Sequence, residues 1–214
     1  MTFLFLLLAA CAPPGVLPPP VSFKPGHMGL GVSAGESLGQ LGYLGYVGQD
    51  YDDPTATTSV AIHFERTTKR RRTLAFWANG ALAVAPTERY PITNPPAISA
   101  GVVGRTQLRG DEDFRWALEG GGGLGAFWLG VPMTTEVGAK GTLFTAPSLC
   151  LGIRETVRIP LGYAHELRRG GLWHLQLSAG AGWAESYNIK SWEELPYQVS
   201  LCGGWVWQLS PGRG

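Results

Sequence analysis

The sequence predicts an all-β fold, an up-and-down antiparallel β-barrel of about eight strands, on three observations. Apolar residues recur with period two along most of the chain, as strands with one apolar face require. Longer and shorter links alternate between those segments. The 214 residues include 31 glycines, and only 15% of them are charged. Average usage is about 7% glycine and about 25% charge, so this is neither a typical water-washed surface nor a highly charged disordered chain. The length suits one domain or one closed barrel. A formal net charge of +1 provides no overall basic field, which argues against a nucleic-acid partner. No internal apolar run reaches the roughly 18 residues of a spanning helix.

The strands follow in order. Met28 to Val47 is glycine-rich and less regular, with a β-bulge expected near Gly35 to Gly39. Val60, Ile62 and Phe64 oppose Ser59, Ala61, His63 and Glu65. Leu74, Phe76, Ala78, Leu82 and Val84 form the next apolar face, and Ile98, Ala100 and Val102 another. Phe114, Trp116, Leu118, Leu124, Ala126 and Trp128 share a face opposite Arg115, Glu119, Gly121, Gly123 and Gly125. From Leu149 to Leu167 the odd positions stay on one face without a slip, which reads as one long strand. Trp173 to Trp183 and Tyr197 to Leu209 complete the set.

Short links fall at Thr67 to Arg71, Arg109 to Asp113 and Arg168 to Gly171. Longer ones fall at Gln49 to Thr55, Ala85 to Pro96, Gly130 to Pro147 and Ala184 to Pro196. Strict alternation of long and short is how up-and-down membrane barrels are laid out, and it puts both ends of the barrel on the short-turn side. The polar face is mostly Gly, Ala and Ser, with few charges and four lysines in the chain, where a water-washed sheet would carry many more. Trp116, Trp128, Trp173, Trp183, Trp205 and Trp207 lie toward the ends of apolar faces, as interfacial aromatic girdles do. Together these place lipid outside and small polar side chains inside. The alternative is a soluble, lipocalin-like barrel holding an apolar ligand in an apolar lumen.

With that layout, residues 27–209 resemble the small outer-membrane β-barrels of the OmpA/OmpX type. The resemblance implies an outer-membrane protein with a structural, surface or partner-binding role. Its surroundings would be outer-membrane lipids, with an envelope protein as a candidate partner. No family motif assigns a functional residue. The last strand, with Trp205 and Trp207, resembles the C-terminal signal read by the outer-membrane assembly machinery, but continues through the tail at 210–214. At the other end, Met1 to Ala10 is an apolar run too short to span a bilayer as a helix. It leads into Leu8-Ala9-Ala10-Cys11, which resembles the lipobox of bacterial lipoproteins. That resemblance implies a signal peptide over 1–10 and a periplasmic N-terminus with lipid on Cys11. Residues 11–26 are proline-rich, including Pro18-Pro19-Pro20, and suit a semi-rigid spacer.

The inward set is His63, Glu65, Arg105, Arg115, Glu119, Arg154, Arg158, Glu166 and His174. In a narrow barrel such groups must pair, because a buried unpaired charge costs several kcal/mol. They read as a structural polar plug, with no catalytic residue, cofactor or metal assigned. Gly31-Val32-Ser33-Ala34-Gly35 matches G-x-S-x-G, but the hydrolase elbow needs a strand-to-helix turn and no helical pattern follows. A lipid-modifying enzyme is the remaining alternative. His165, the one histidine on an apolar face, falls at the short-turn end. Lys69-Arg70-Arg71-Arg72 is a basic run in a short turn, suited to anionic headgroups, a partner or solvent. Arg109-Gly110-Asp111 spells an adhesion tripeptide that a tight polar turn explains. Cys150 and Cys202 point inward two strands apart, beyond the roughly 7 Å Cα separation a disulfide allows, so free thiols are expected. No Cys/His spacing suggests zinc.

Overall fold

The computed structural model describes residues 26, 28–39, 55–68, 70–84, 97–110, 114–123, 126–152, 155–167, 170–183 and 197–210. The signal-peptide reading, Cys11, the proline-rich spacer and Arg154 lie outside these residues. The described chain forms β1 (Met28–Gly39), β2 (Thr55–Thr67), β3 (Arg72–Val84), β4 (Ala97–Gly110), β5 (Phe114–Gly123) and β6 (Ala126–Gly130). It continues as β7 (Met133–Val137), β8 (Gly141–Thr145), β9 (Ser148–Gly152), β10 (Glu155–Glu166), β11 (Gly171–Trp183) and β12 (Tyr197–Ser210). Every pairing is antiparallel, and β12 pairs with both β11 and β1, which closes the sheet into a barrel.

The barrel has ten staves, not eight. β6 and β7 are two halves of one stave, interrupted at Val131-Pro132, and both pair with β5. β8 and β9 are likewise one stave, interrupted at Ala146-Pro147, and both pair with β10. Proline has no N–H to give a ladder, so each stave breaks where its proline sits. The breaks are tied across by Val131 N–H to the Pro147 carbonyl and by Ala117 N–H to the Pro132 carbonyl, both 2.9 Å. The segment from Gly130 to Pro147, expected as a long loop, is therefore mostly wall.

Two other reversals escaped the sequence pattern for opposite reasons. Leu149 to Leu167 is a hairpin and not one strand. Leu149 partners Val157 and Cys150 partners Thr156, so facing residues share odd or even number. A reversal of that kind leaves a period-two pattern unbroken. Length was the available signal: 19 residues of strand would reach about 63 Å, roughly twice the hydrocarbon core. Phe114 to Trp128 also folds back, with Gly123 facing Ala126 and Gly121 facing Trp128. Here parity inverts across the turn, so even positions face out in β5 and odd ones in β6. The inversion falls just after Gly120 to Gly123, residues with no side chain to mark it. Trp128 is consequently inside the barrel and not part of a girdle.

The expected bulge near Gly35 to Gly39 is absent, since β1 keeps register from Gly29 to Gly39 against both neighbours. Shifts occur instead between Met28 and Gly29 and between Gln107 and Arg109. Short links at 68–71, 111–113, 138–140 and 168–170 gather at one end, where Met28 also meets Ser210. The other end has links of 40–54, 85–96 and 184–196 and two-residue links at 124–125 and 153–154, so strict alternation fails twice.

The uninterrupted strands, of 10 to 14 residues, are long enough for the about 9–11 that cross a bilayer. Their outward positions carry Leu30, Ile62, Phe76, Leu118, Ile159, Leu177 and Leu201, all exposed. Trp205 and Trp207 are exposed among them, with Trp116 and Trp173 half-buried. The alternate positions, among them Ser33, Thr57, Ser59, Asn79, Gln176 and Ser200, are buried. An apolar lumen with a wet exterior is thus overturned: the described barrel is apolar outside and largely polar within.

Candidate functional site

The described polar chemistry concentrates in the lumen, where the period-two register sends every second side chain. Arg105 on β4 and Glu119 on β5 are direct cross-strand partners, and the Arg105 Nε donates to Glu119. Arg105 Nη1 also lies 4.0 Å from a carboxylate oxygen of Glu65 on β2. Between them on β3 the inward residue facing Glu65 is Ala75, whose methyl leaves room for that reach. Glu65, Arg105 and Glu119 are only 1%, 3% and 2% exposed, so the two carboxylates share one cation away from water. Trp128 adds its indole N–H to the other Glu119 oxygen at 3.2 Å. Its ring lies 5.8 Å from that of Trp77, tilted by 52°. The site is a charge triad roofed by two indoles.

On the opposite wall the groups are mostly neutral. The Ser33 hydroxyl is 3.1 Å from His174 Nε2. Arg158 Nε and Nη2 donate to the Ser178 hydroxyl at 3.3 and 3.1 Å, and Ser178 is 2.5 Å from the Ser200 hydroxyl. Cys150 and Cys202 are buried free thiols. They stand on β9 and β12, three ladders apart and not two, because the hairpin at 153–154 adds a stave.

Glycines make this filling sterically possible. A Cβ on Gly31 would sit 2.0 Å from the His63 ring, and one on Gly121 would sit 2.3 Å from the Trp128 ring. The His63 and Trp128 rings therefore rest against bare backbone, as do those of Trp77 on Gly101 and Phe144 on Gly162, which accounts for glycines on the inner face.

The inward residues expected from the sequence divide by location. His63, Glu65, Arg105, Glu119 and His174 are buried, and Arg158 is half-buried. Arg115 lies at the short-turn mouth with Glu136, 2.6 Å from it and partly exposed. Glu166, on the inward register of β10, sits at the same mouth. Trp77 and Trp128 were missed. Trp77 was readable, since it alternates with the outward Leu74, Phe76 and Ala78. His165 faces outward beside Tyr163, whose hydroxyl is 3.1 Å from its Nδ1, and the Trp173 ring lies edge-on to Tyr163 and tilted to His165.

The Ser33 and His174 contact has the partners of a nucleophile and base, but no third element joins them among the described residues. His174 Nδ1 has no hydrogen-bond partner among the described residues, so none of them supplies an acid to orient the ring. Ser33 is also fully buried in the lumen, away from any lipid substrate. His63 Nε2 and Trp77 Nε1 are similarly unpartnered there, as sites for internal water would be. Among the described residues no group of His, Cys, Asp or Glu could hold a metal ion.

No protein-family profile and no curated protein sequence matches the chain. Among solved structures it is similar to Neisserial surface protein A (NspA), at 9% identity and a TM-score of 0.40, over 85% of this chain and 97% of that one. It is also similar to the outer membrane protease OmpT from Escherichia coli, at 8% identity and a TM-score of 0.40, over 88% of this chain and 99% of that one. At such identities no residue role transfers.

Proposed function

We propose that this chain is an integral outer-membrane β-barrel, tethered by lipid on Cys11, with a plugged lumen and a structural, surface or partner-binding role. The observation that carries the reading is the outward belt of exposed Leu, Ile, Val, Phe and Trp around a closed barrel whose interior is polar. Such a belt in water would be an aggregation liability, whereas acyl chains match it. The triad, the indole roof and the serine network project into the bore, which in this reading makes the lumen a stabilising core and leaves the ends to meet partners. A tether entering at Met28 would come from the short-turn end, the periplasmic side in this reading.

Membrane fractionation of wild type and Cys11→Ala, with carbonate and detergent extraction, tests it. Both proteins are expected to resist carbonate, to need detergent, and to show heat-dependent gel mobility. Labelled palmitate should enter the wild type alone. Release of Cys11→Ala as a soluble protein would overturn integral insertion, and equal labelling of the two would overturn the anchor.

A further inference from the structure

We infer that the rim around the turn at 68–72 binds the phosphate of anionic phospholipid headgroups through Arg66, Arg70, Arg71 and Arg72. This deepens the membrane reading and rests on it. The first observation is placement. On β2 the outward register runs Ile62, Phe64, Arg66, and on β3 it runs Phe76, Leu74, Arg72. Two neighbouring apolar stripes thus each end in a guanidinium at the short-turn end, where a side chain can lie along the belt and lift its charge into the headgroups. All four arginines are exposed. None of them takes part in the buried pairs of Arg105 with Glu65 and Glu119 or in the pair of Arg115 with Glu136.

The second observation is backbone conformation. Arg71 has φ of 55°, the left-handed region, and is the single non-glycine residue there among the described residues. The turn after β10 has the same hydrogen bonds. Thr68 N–H to the Arg72 carbonyl (2.8 Å) and Arg71 N–H to the Thr68 carbonyl (3.0 Å) are matched by Leu167 to Gly171 (2.7 Å) and Gly170 to Leu167 (3.2 Å). Gln107 N–H meets the Arg71 carbonyl as Gln208 N–H meets that of Gly170. At the position of Arg71 the sister turn carries Gly170, with φ of 77°. One turn uses the residue this conformation favours, and the other places a guanidinium there despite the conformational cost. A cation standing in a conformation its backbone disfavours, beside two that end the apolar belt, fits a fixed anion site of planar donors.

The test uses purified full-length protein inserted into phosphatidylcholine vesicles with or without phosphatidylglycerol. The readout is the temperature at which the compact gel form is lost. The wild type should unfold at higher temperature with phosphatidylglycerol, and salt should shrink that rise. Arg66→Gln with Arg72→Gln should remove most of the rise and leave the phosphatidylcholine value unchanged. Arg71→Gly should move two readings oppositely, raising the phosphatidylcholine value while reducing the rise. Equal rises in all variants would overturn the site. So would inorganic phosphate giving the same rise in phosphatidylcholine, which would mark a free-anion site. Insertion without any phosphatidylglycerol effect would leave the cluster to an acidic protein and also overturn it. Failure of the wild type to insert into either vesicle would overturn the membrane reading itself.

Discussion

On the wall formed by β2 to β5, two carboxylates and a guanidinium meet out of water under a pair of indoles. On the wall formed by β10 to β12 and β1, a comparable space holds serines, an imidazole and one arginine bonded to hydroxyls. Both walls must satisfy polar groups in a bore that closes on itself. The first concentrates charge, so each member holds the others in place. The second spreads the load over hydroxyls and an imidazole around a single arginine, so that losing one hydroxyl leaves no carboxylate stranded. The contrast teaches that buried charge makes a wall intolerant of single losses without making it stronger overall.

The largest test of that contrast is Arg105→Ala, which leaves Glu65 and Glu119 buried without their shared cation. It should cost about 3–5 kcal/mol in urea unfolding from detergent micelles. A loss comparable to that of a serine would mean that the two walls do not differ. Next is Gly31→Ala, which drives a methyl into the His63 ring and should cost about 1–3 kcal/mol. Adding His63→Ala should return part of that loss, because the clash has one partner. The smallest is Ser178→Ala. It removes one hydroxyl from a network in which Arg158 keeps further contacts, so a loss of about 1 kcal/mol is expected by the same unfolding assay.

Alternation revealed the all-β class and put His63, Glu65, Arg105, Glu119 and His174 on the face opposite the apolar one, because a strand offers only two directions; the sparse charge of that face and the tryptophans toward the ends of the other told inside from outside. The number of staves was not legible for the same reason. Alternation reports direction within a strand and is blind to a reversal that preserves parity, as between Cys150 and Thr156. It was blinded again by Gly120 to Gly123, where no side chain records the inversion that turns Trp128 inward. The pairing of Arg105 with Glu119 depends on register, set by the link at 111–113 and the shift between Gln107 and Arg109. Neither could be read from either strand alone.

Three generous connections, at 40–54, 85–96 and 184–196, all spring from six adjoining staves, β11 through β4. The remaining arc of that rim is closed by residue pairs at 124–125 and 153–154 and by nothing longer. Chain length is therefore dealt unevenly around that end. A recognition sequence at that end would accordingly be spelled in three stretches far apart along the chain, each joining neighbours within one sector of the wall.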